Sequence, residues 1–387
     1  MGAPARRNDT ATIPALTGFR ALAAGLVVIG HVARDGALDH AWPLRYGWTG
    51  VNLFFALSGF LFTRLYLDRF ADGAVSLRRY FLKRAFRVLP LTWFLLAVTI
   101  ASWPHYEVLD VLTHVTLTHA WFFAWRFSLN APMWSLCVEE SFYLVVPALF
   151  VALGALERSP RFVTTAARIA AVVVALAVVT EAGAGLALSI QQADHAFHGR
   201  WDDGFWSSTL PGRFSDFACG IVAGVVSLRL PITGPKGSRA VATTLVAAGV
   251  AVWTFAAAWA ETRGGIVAAA AMPMFQIVGK LFAVGGALAI LGLYGRSWAT
   301  PLFASRAFVY AGRISFALYL VQFARIGPRG TVVDGVGVTV RSVVRSEVLA
   351  VIVVYVALSA LAAALHHLVE EPAQRRLRER FLGAEGT

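Results

Sequence analysis

The chain has 387 residues, of which 58% are hydrophobic and only 14% are charged. Soluble domains carry about 25% charged residues, so this composition excludes an ordinary soluble protein and indicates an integral membrane protein. The net charge of +12 could suggest a nucleic-acid partner. However, the basic residues lie between apolar runs, which is the pattern that the positive-inside bias of membrane proteins produces. We therefore expect the lipid bilayer as the surroundings of the chain and no nucleic acid as a partner.

Ten segments of the chain are apolar over about the 20 residues that a transmembrane helix needs. We predict an all-α integral membrane protein whose ten transmembrane helices lie at residues 14–33, 47–66, 86–103, 133–155, 164–188, 211–229, 240–260, 275–294, 306–323 and 347–368. A further apolar and aromatic segment, 105–125, is interrupted by Asp110, His114 and His119. It is either an interfacial or re-entrant piece or an eleventh span.

The distribution of Lys and Arg between the loops predicts the orientation of the chain. Most of them fall in the two tails and in alternate loops, above all in the segment 64–87, and cytoplasmic loops are enriched in such residues. We therefore expect both termini in the cytoplasm and a multi-pass location in a bacterial plasma membrane. We predict a single membrane domain over 1–387, with a core at about 12–375 and a basic cytoplasmic tail at 369–387.

The first predicted helix carries Arg20 and His31, which bracket a run of residues that are all apolar or glycine. At about 100° per residue, the two side chains lie on one stripe of the helix, about 16 Å apart along its axis. Charged groups within a bilayer are costly, and they usually face a polar site. Histidine is also the usual general base near neutral pH. The alternative is that Arg20 extends to the membrane surface and His31 caps the helix at the far interface.

A cluster of cations precedes the third predicted span, within residues 76–90. Two of them, Arg84 and Arg87, lie three residues apart and share a helix face. Guanidinium groups bind phosphates through paired hydrogen bonds, so this face could hold an anionic ligand. The alternative is an ordinary cytoplasmic anchor, or a patch that binds anionic lipid.

Two adjacent carboxylates, Glu139 and Glu140, interrupt the apolar and aromatic segment 131–147. Adjacent helical side chains point about 100° apart, so one can face a cavity while the other needs a separate partner. A buried glutamate could orient a histidine, act as a base or carry protons. The alternative is a structural ion pair with an intramembrane arginine such as Arg20.

Several weaker features favour structural interpretations over functional ones. Small residues in the second span permit close helix packing, and the two cysteines lie in apolar stretches without the spacing of a zinc site. A charged pair in the sixth span could form an ion pair, and two histidine clusters lie in a loop and at the end of the last span. We therefore predict no metal site. The residues concerned are Gly47, Gly50, Ser58, Gly59, Cys137, Cys219, Arg213, Asp216, His195, His198, His366 and His367.

Six motifs follow one another along the chain: LTGFRALAAGLVVIGH, GVNLFFALSGFLFT, RAFR, MWSLCVEESFYLVVP, ISFALYLVQ and LVEEPAQRR. In this order they resemble the motifs of the large family of membrane-bound acyltransferases called acyltransferase type three. The resemblance extends from about residue 12 to 375. Two positions depart from the family pattern. Asn52 stands where the family often has an aspartate, and Gln322 stands where a histidine often follows the tyrosine–leucine pair.

The resemblance implies an O-acyltransferase of about ten spans that uses acyl-CoA, with acetyl-CoA as the default donor. The paired-arginine motif of the family falls on Arg84 and Arg87, which together with Arg20 would bind the donor phosphates. His31 would act as the general base on the acceptor hydroxyl, and Glu139 would orient its imidazole.

The acceptor follows less directly, because members of the family acylate polysaccharides, peptidoglycan-type glycans and sugar-bearing natural products. The short chain and its bias towards arginine and alanine favour a small-molecule acceptor, such as a hydroxyl of a macrolide antibiotic. Acylation of a cell-surface polysaccharide or glycan is the alternative. A different class also stays open, because intramembrane Arg, His and Glu side chains build the proton relays of transporters.

Overall fold

The computed structural model describes residues 13–33, 38, 41–42, 44–102, 106–198, 208–231, 234–262, 272–325 and 330–383. Within these ranges the regular elements are helices, and extended pairing is confined to an isolated antiparallel bridge between Arg325 and Thr331. Backbone polar groups have no water to bind in hydrocarbon, and a helix satisfies nearly all of them internally. The predicted all-α fold is confirmed.

The helices are taken here in chain order. They are α1 (Pro14–Val32), a 3₁₀ helix (Leu44–Thr49) that leads into α2 (Gly50–Ala71), α3 (Leu77–Ser102), α4 (Val108–Val115), a 3₁₀ turn (His119–Trp121), α5 (Met133–Glu157), α6 (Thr165–His198), α7 (Leu210–Arg229), α8 (Arg239–Thr262), α9 (Met272–Tyr294), α10 (Thr300–Phe303), α11 (Arg306–Val321), α12 (Val332–Arg341), α13 (Glu347–Leu365), a π-helical turn (His366–Glu370) and α14 (Glu371–Leu382).

Among the described residues, 8 helices are long and apolar enough to cross a membrane. Each of these eight helices coincides with a predicted span. The other two predicted spans, at 211–229 and 306–323, correspond to α7 and α11, which are not among the eight. In α7, Arg213 and Asp216 reduce the hydropathy. The 16 residues of α11 extend about 24 Å, which is less than the hydrocarbon thickness of about 30 Å. The total of ten spans and the cytoplasmic location of both termini therefore stay predictions.

The segment 105–125 does not form an eleventh span. Its α4 has 8 residues, which correspond to about 12 Å of helix, and the 3₁₀ turn follows within a few residues. The segment returns towards the bundle and buries Asp110, His114 and His119 against it. Of the two predictions for this segment, the interfacial or re-entrant piece is therefore the one that agrees with the structure.

α1 packs against α2 and α11, and close backbone contacts fix both interfaces. A Cβ atom at Gly312 of α11 would lie 1.9 Å from the carbonyl oxygen of Thr17, and one at Gly50 of α2 would lie 2.2 Å from that of Ala23. On its other side α2 meets α7, where a Cβ atom at Gly59 would lie 2.2 Å from a backbone oxygen. Small residues are typical of such contacts in membranes. The interpretation of Gly50 and Gly59 as packing residues is confirmed.

Two arginines hold helix ends together at opposite ends of the bundle. Nη2 of Arg229 lies 2.6 Å from Oδ1 of Asp68 and 2.8 Å from Oε2 of Glu157, which joins the ends of α2, α5 and α7. At the other end, Nη2 of Arg341 donates to the carbonyl oxygen of Val32 at 2.6 Å. The last turn of α1, which carries His31, is thereby attached to α12.

Candidate active site

Side chains from α1, α2, α3, α5 and α11 line one cavity of about 140 Å³. Four of the predicted site residues, Arg20, Arg84, Arg87 and Glu139, lie on its wall, and we call this space the arginine cavity. It lies in the half of the bundle where α1 begins. Most of the remaining wall is apolar or aromatic. Its other polar side chains belong to Ser58, Ser135, Tyr143, Ser315 and Tyr319.

Aromatic rings hold two of the cavity arginines. Nε of Arg20 donates to the hydroxyl of Ser315 at 3.4 Å, and its guanidinium carbon lies 6.0 Å from the centre of the Phe54 ring. The guanidinium of Arg84 lies 4.9 Å from the centre of the Phe62 ring. Such cation–π contacts stabilise a desolvated cation without using its N–H donors. Accordingly, the buried Nε of Arg84 has no hydrogen-bond partner within the part of the chain that the structure describes.

Glu139 supplies a carboxylate to the arginine cavity. Its Oε1 accepts a hydrogen bond from Oγ of Ser58 at 2.9 Å and another from the hydroxyl of Tyr143. The adjacent Glu140 does not line the cavity, and its buried Oε1 has no hydrogen-bond partner among the described residues. The two carboxylates diverge, as their spacing on a helix predicts.

His31 lies near the other end of α1 and does not line the arginine cavity. Its Nδ1 is 3.0 Å from Oε1 of Gln322, and its ring meets the Phe323 ring edge-on, with 4.7 Å between the ring centres. The predicted contact between Glu139 and His31 is therefore wrong. Glu139 shares a cavity with Arg20, which is about 16 Å from His31 along the helix axis. Among the described residues, it is the side chain of Gln322 that supplies a hydrogen-bond contact to the imidazole.

Gln322 is the residue of the site that the sequence did not identify. The sequence identified this position only as the loss of a histidine from the family pattern. Its side chain is fully buried, and its Nε2 donates to the carbonyl oxygen of Tyr319 at 2.9 Å. A polar residue directly after the apolar motif ISFALYLV was a usable signal. The partner of Gln322, however, is His31 of α1, and this contact cannot be predicted from the sequence of α11 alone.

The model of one protein family matches residues 13–366, and that family is described as an acyltransferase domain. The chain belongs to this acyltransferase family. The resemblance of the six motifs is thereby confirmed. Together with the apolar helices, family membership also confirms the predicted multi-pass location in the cell membrane.

Three relatives of the chain carry names that describe an activity. The peptidoglycan O-acetyltransferase OatA of Listeria monocytogenes is 28% identical over 167 residues, which are 38% of this chain and 26% of that protein. A putative O-acetyltransferase of Staphylococcus aureus is 30% identical over 162 residues, 36% of this chain and 25% of the relative. The putative peptidoglycan O-acetyltransferase YrhL of Bacillus subtilis is 29% identical over 180 residues, 42% of this chain and 26% of the relative. The alignments thus cover about a quarter of each relative. No solved structure gives a significant match.

A second buried polar cluster of the chain adjoins the arginine cavity. Nδ2 of Asn52 donates to Oδ1 of Asp216 at 3.1 Å, and Oδ2 of Asp216 lies 3.4 Å from Nε of Arg213. The guanidinium of Arg213 packs over the ring of Phe55, which also lines the cavity. The predicted ion pair is confirmed. Because Asn52 is an amide, it binds the carboxylate of Asp216 without adding a second negative charge to a buried site.

A third cluster lies where the segment 105–125 meets α5. Nδ1 of His114 is 3.0 Å from Oδ1 of Asp110, the rings of His114 and His119 stack with 3.7 Å between their centres, and Nδ1 of His119 is 3.2 Å from Sγ of Cys137. Burial lowers the pKa of both imidazoles, that of His119 to about 2. Parallel rings direct their in-plane lone pairs side by side and not towards one ion, so this cluster has the geometry of a packed core.

At the end of α13, each of two histidines pairs with the glutamate four residues later. Nδ1 of His366 is 2.9 Å from Oε2 of Glu370, and Nδ1 of His367 is 3.3 Å from Oε2 of Glu371. One ligand atom from each of His366, His367 and Glu371 lies within 4.8 Å of the others, but the two i,i+4 pairs already account for this proximity. The other predicted histidine pair, at 195 and 198, has side chains outside the described residues.

Proposed function

We propose that the chain transfers an acyl group, acetyl in the simplest case, from acyl-CoA to a hydroxyl group of a cell-envelope glycan. The observation that carries this proposal is the arginine cavity on the same helix as His31. One end of α1 offers a site for anionic groups, and the other end offers a general base. Membership in an acyltransferase family supports acyl transfer as the class of reaction.

The charge of the arginine cavity supports an anionic donor. Three arginines, Arg20, Arg84 and Arg87, share the cavity with the carboxylate of Glu139. An intramembrane charge costs on the order of 2.5–3.5 kcal/mol on insertion scales, so an excess of cations is unfavourable unless a ligand compensates it. Coenzyme A carries several phosphate groups, and guanidinium groups bind phosphates through short, charge-assisted hydrogen bonds. The Nε of Arg84, which has no hydrogen-bond partner among the described residues, is one donor for such a bond.

His31 is the proposed general base. It would take the proton of the acceptor hydroxyl as the hydroxyl oxygen attacks the thioester carbonyl. The carbon–sulfur bond then breaks, the CoA thiolate leaves, and the proton passes from His31 to that thiolate. The products are an O-acyl ester and free CoA. The separation of about 16 Å between Arg20 and His31 suits the extended arm that joins the phosphates of CoA to its thioester.

Glu139 has a different role in this proposal from the one that the sequence predicts. It lies among the arginines and is bound by Ser58 and Tyr143. Its negative charge would stabilise the three guanidinium groups before the donor binds, and its two hydrogen bonds would keep it in place when phosphates arrive. Glu139 thus serves the donor end of the site, and its effect on His31 is indirect.

A glycan hydroxyl is the proposed acceptor because two relatives are described as acting on peptidoglycan. The macrolide prediction depends on chain length and composition, and the comparisons lend it no support. The alternative acceptor class from the sequence, a cell-surface glycan, therefore takes its place. Macrolides remain useful as comparison substrates.

The test of the proposed function uses the purified protein in nanodiscs with radiolabelled acetyl-CoA. The acceptors are a muropeptide, a neutral polysaccharide fragment and a macrolide, and the His31→Ala variant is assayed alongside. Label that moves to a glycan, and does so only with His31 present, would support the proposal. Transfer to the macrolide alone would overturn the acceptor class. If the protein does not bind acetyl-CoA, this result would overturn acyl transfer as the reaction and favour the proton-coupled transporter.

A further inference from the structure

The amide of Gln322 has a determined orientation. Its Nε2 donates to the carbonyl oxygen of Tyr319 at 2.9 Å, and its Oε1 lies 3.0 Å from Nδ1 of His31. Exchanging the two ends of the amide would place Oε1 against the carbonyl oxygen of Tyr319, and two acceptors share no proton. The backbone of α11 therefore fixes which atom of Gln322 meets His31.

This orientation determines where the imidazole carries its proton. Oε1 of an amide only accepts hydrogen bonds, so the facing Nδ1 of His31 must donate one. A neutral imidazole has a single N–H, and its other nitrogen then carries the lone pair. We infer that Gln322 is a positioning residue that holds neutral His31 in its Nδ1–H tautomer and makes Nε2 the basic nitrogen. This inference rests on the proposed function for its catalytic meaning, although the tautomer itself can be measured without turnover.

Both partners of this hydrogen bond are held in place by further contacts. The carbonyl oxygen of Gln322 accepts from the backbone N–H of Val333 at 2.8 Å, which ties the end of α11 to α12. The hydroxyl of Tyr319 lies 2.8 Å from Oγ of Ser135 on α5. On the side of His31, the ring of Phe323 limits rotation of the imidazole. A base whose ring and partner are both restrained keeps one nitrogen directed at its substrate.

The neutral character of Gln322 distinguishes this arrangement from a histidine–carboxylate pair. A carboxylate also selects the Nδ1–H tautomer, but it additionally stabilises the imidazolium that forms during reaction. An amide selects the tautomer without adding a charge. The carboxylate that the sequence predicts for this role, Glu139, lies in the arginine cavity at the other end of α1.

The first experiment measures the tautomer directly. The protein is labelled with ¹⁵N-histidine in nanodiscs, and the His31 signals are assigned by their loss in the His31→Asn variant. At a pH at which the imidazole is neutral, we expect a protonated Nδ1 and an unprotonated Nε2. In Gln322→Leu we expect a mixture of the two tautomers. A protonated Nε2 in the unmodified protein would overturn the inference, whether or not the protein is an acyltransferase.

The second experiment separates positioning from folding. Asn130→Leu is the matched control, because Asn130 is also a buried amide and donates to the carbonyl oxygen of Leu320 on the same helix without contacting His31. We expect Gln322→Leu to lower kcat on the order of tenfold, the effect of one lost hydrogen bond, with the KM for acyl-CoA unchanged. Gln322→Glu, in its protonated form, keeps both a donor to the carbonyl oxygen of Tyr319 and an acceptor oxygen for His31, and it should restore both the tautomer and most of kcat.

The outcomes of the second experiment separate this inference from the proposed function. Equal losses of kcat in Gln322→Leu and Asn130→Leu, or no recovery in Gln322→Glu, would show a merely structural role and overturn the inference. Absence of transfer from any acyl-CoA by the unmodified protein would overturn the proposed function and leave the tautomer measurement standing on its own.

Discussion

At one end of the polar stripe of α1, Arg20 shares a cavity with two more arginines and a glutamate, whereas at the other end His31 contacts a neutral amide. The Arg20 end, the proposed site of the donor, concentrates charge, and its guanidinium groups are held by a hydrogen bond of 3.4 Å and by aromatic rings. The His31 end carries a directional contact of 3.0 Å. Binding of a charged carrier depends mainly on charge, while proton transfer depends on which nitrogen faces the substrate. The two ends can therefore be disabled separately.

The largest expected effect is that of His31→Ala. Removal of a general base costs a factor on the order of 10²–10⁴ in kcat, and the arginine cavity, which lies elsewhere, should bind acyl-CoA with unchanged Kd. Turnover and CoA binding are measured on the same nanodisc preparation. The exposed His367 provides the control, because His367→Ala should leave both quantities unchanged. Near-normal turnover in His31→Ala would refute the assignment of His31 as base.

The next largest effect is expected at the donor end. Arg84→Ala removes a guanidinium whose Nε has no partner among the described residues, and a hydrogen bond to a charged group is worth about 1.5–3 kcal/mol, or about 10- to 150-fold. We expect this loss in the KM for acyl-CoA with little change in kcat. Arg158→Ala is the control, since Arg158 is exposed and pairs with Asp72. A loss of kcat with unchanged KM would contradict the division between the two ends.

Tyr143→Phe should have a smaller effect at the same end. The variant removes one of the two hydrogen bonds to Oε1 of Glu139 and leaves the one from Ser58. A hydrogen bond to a charged group contributes about 1.5–3 kcal/mol, but the carboxylate stays in place through Ser58, so we expect only part of this loss in kcat/KM, about 2- to 10-fold and mainly through KM. Tyr310→Phe, at an exposed tyrosine, is the matched control. An effect confined to kcat would instead connect Glu139 with His31.

The smallest effect on activity is expected at the buried histidine cluster. His119→Leu should leave kcat and its pH dependence unchanged, because a group with a pKa of about 2 does not titrate in the assay range. The free energy of unfolding should depend on His119 instead. Between the ordinary pKa of 6.5 and about 2, the unfolded state binds the proton and the native state does not. Native His119 therefore destabilises the fold as the pH falls below about 6.5.

Thermal unfolding measured from pH 8 to pH 5 tests this last expectation. The Tm of the unmodified protein should fall more steeply with acidification than that of His119→Leu. Parallel curves would show that His119 does not contribute to the acid sensitivity. A change in the pH profile of turnover would show instead that this cluster takes part in the reaction.

Arg20 and Glu139 could be predicted from the sequence because each is a charge inside an apolar segment, and such a residue needs a polar environment in a membrane. Arg84 and Arg87 were selected as a pair by their spacing within a cluster of cations. The fold places all four on one cavity. The helix period also predicted correctly that Glu139 and Glu140 diverge. The free-energy cost of burying a side chain depends on the chemistry of that residue alone, so it can be read directly from the sequence.

The partners of these residues could not be predicted in the same way. Contact between two side chains depends on which helices are neighbours and at what depth they cross, and these quantities follow from close backbone contacts such as that of Gly312 with Thr17. Glu139 was assigned to His31 because a carboxylate commonly orients a catalytic imidazole, but its depth places it in one cavity with Arg20, the alternative partner that the sequence offered. Gln322 was missed because an uncharged amide costs less in a membrane than a charge does.

The depth of His31 also concerns how far an acyl group must travel. The 19 residues of α1 extend about 28 Å, close to the hydrocarbon thickness of about 30 Å, and His31 lies in the last turn. A carrier held by its phosphates at Arg20 would deliver its acyl group about 16 Å further along, near the far end of the helix, while the group remains covalently attached. The acyl group would not have to cross the membrane as a free species, and the acceptor hydroxyl could meet it near the opposite end of α1.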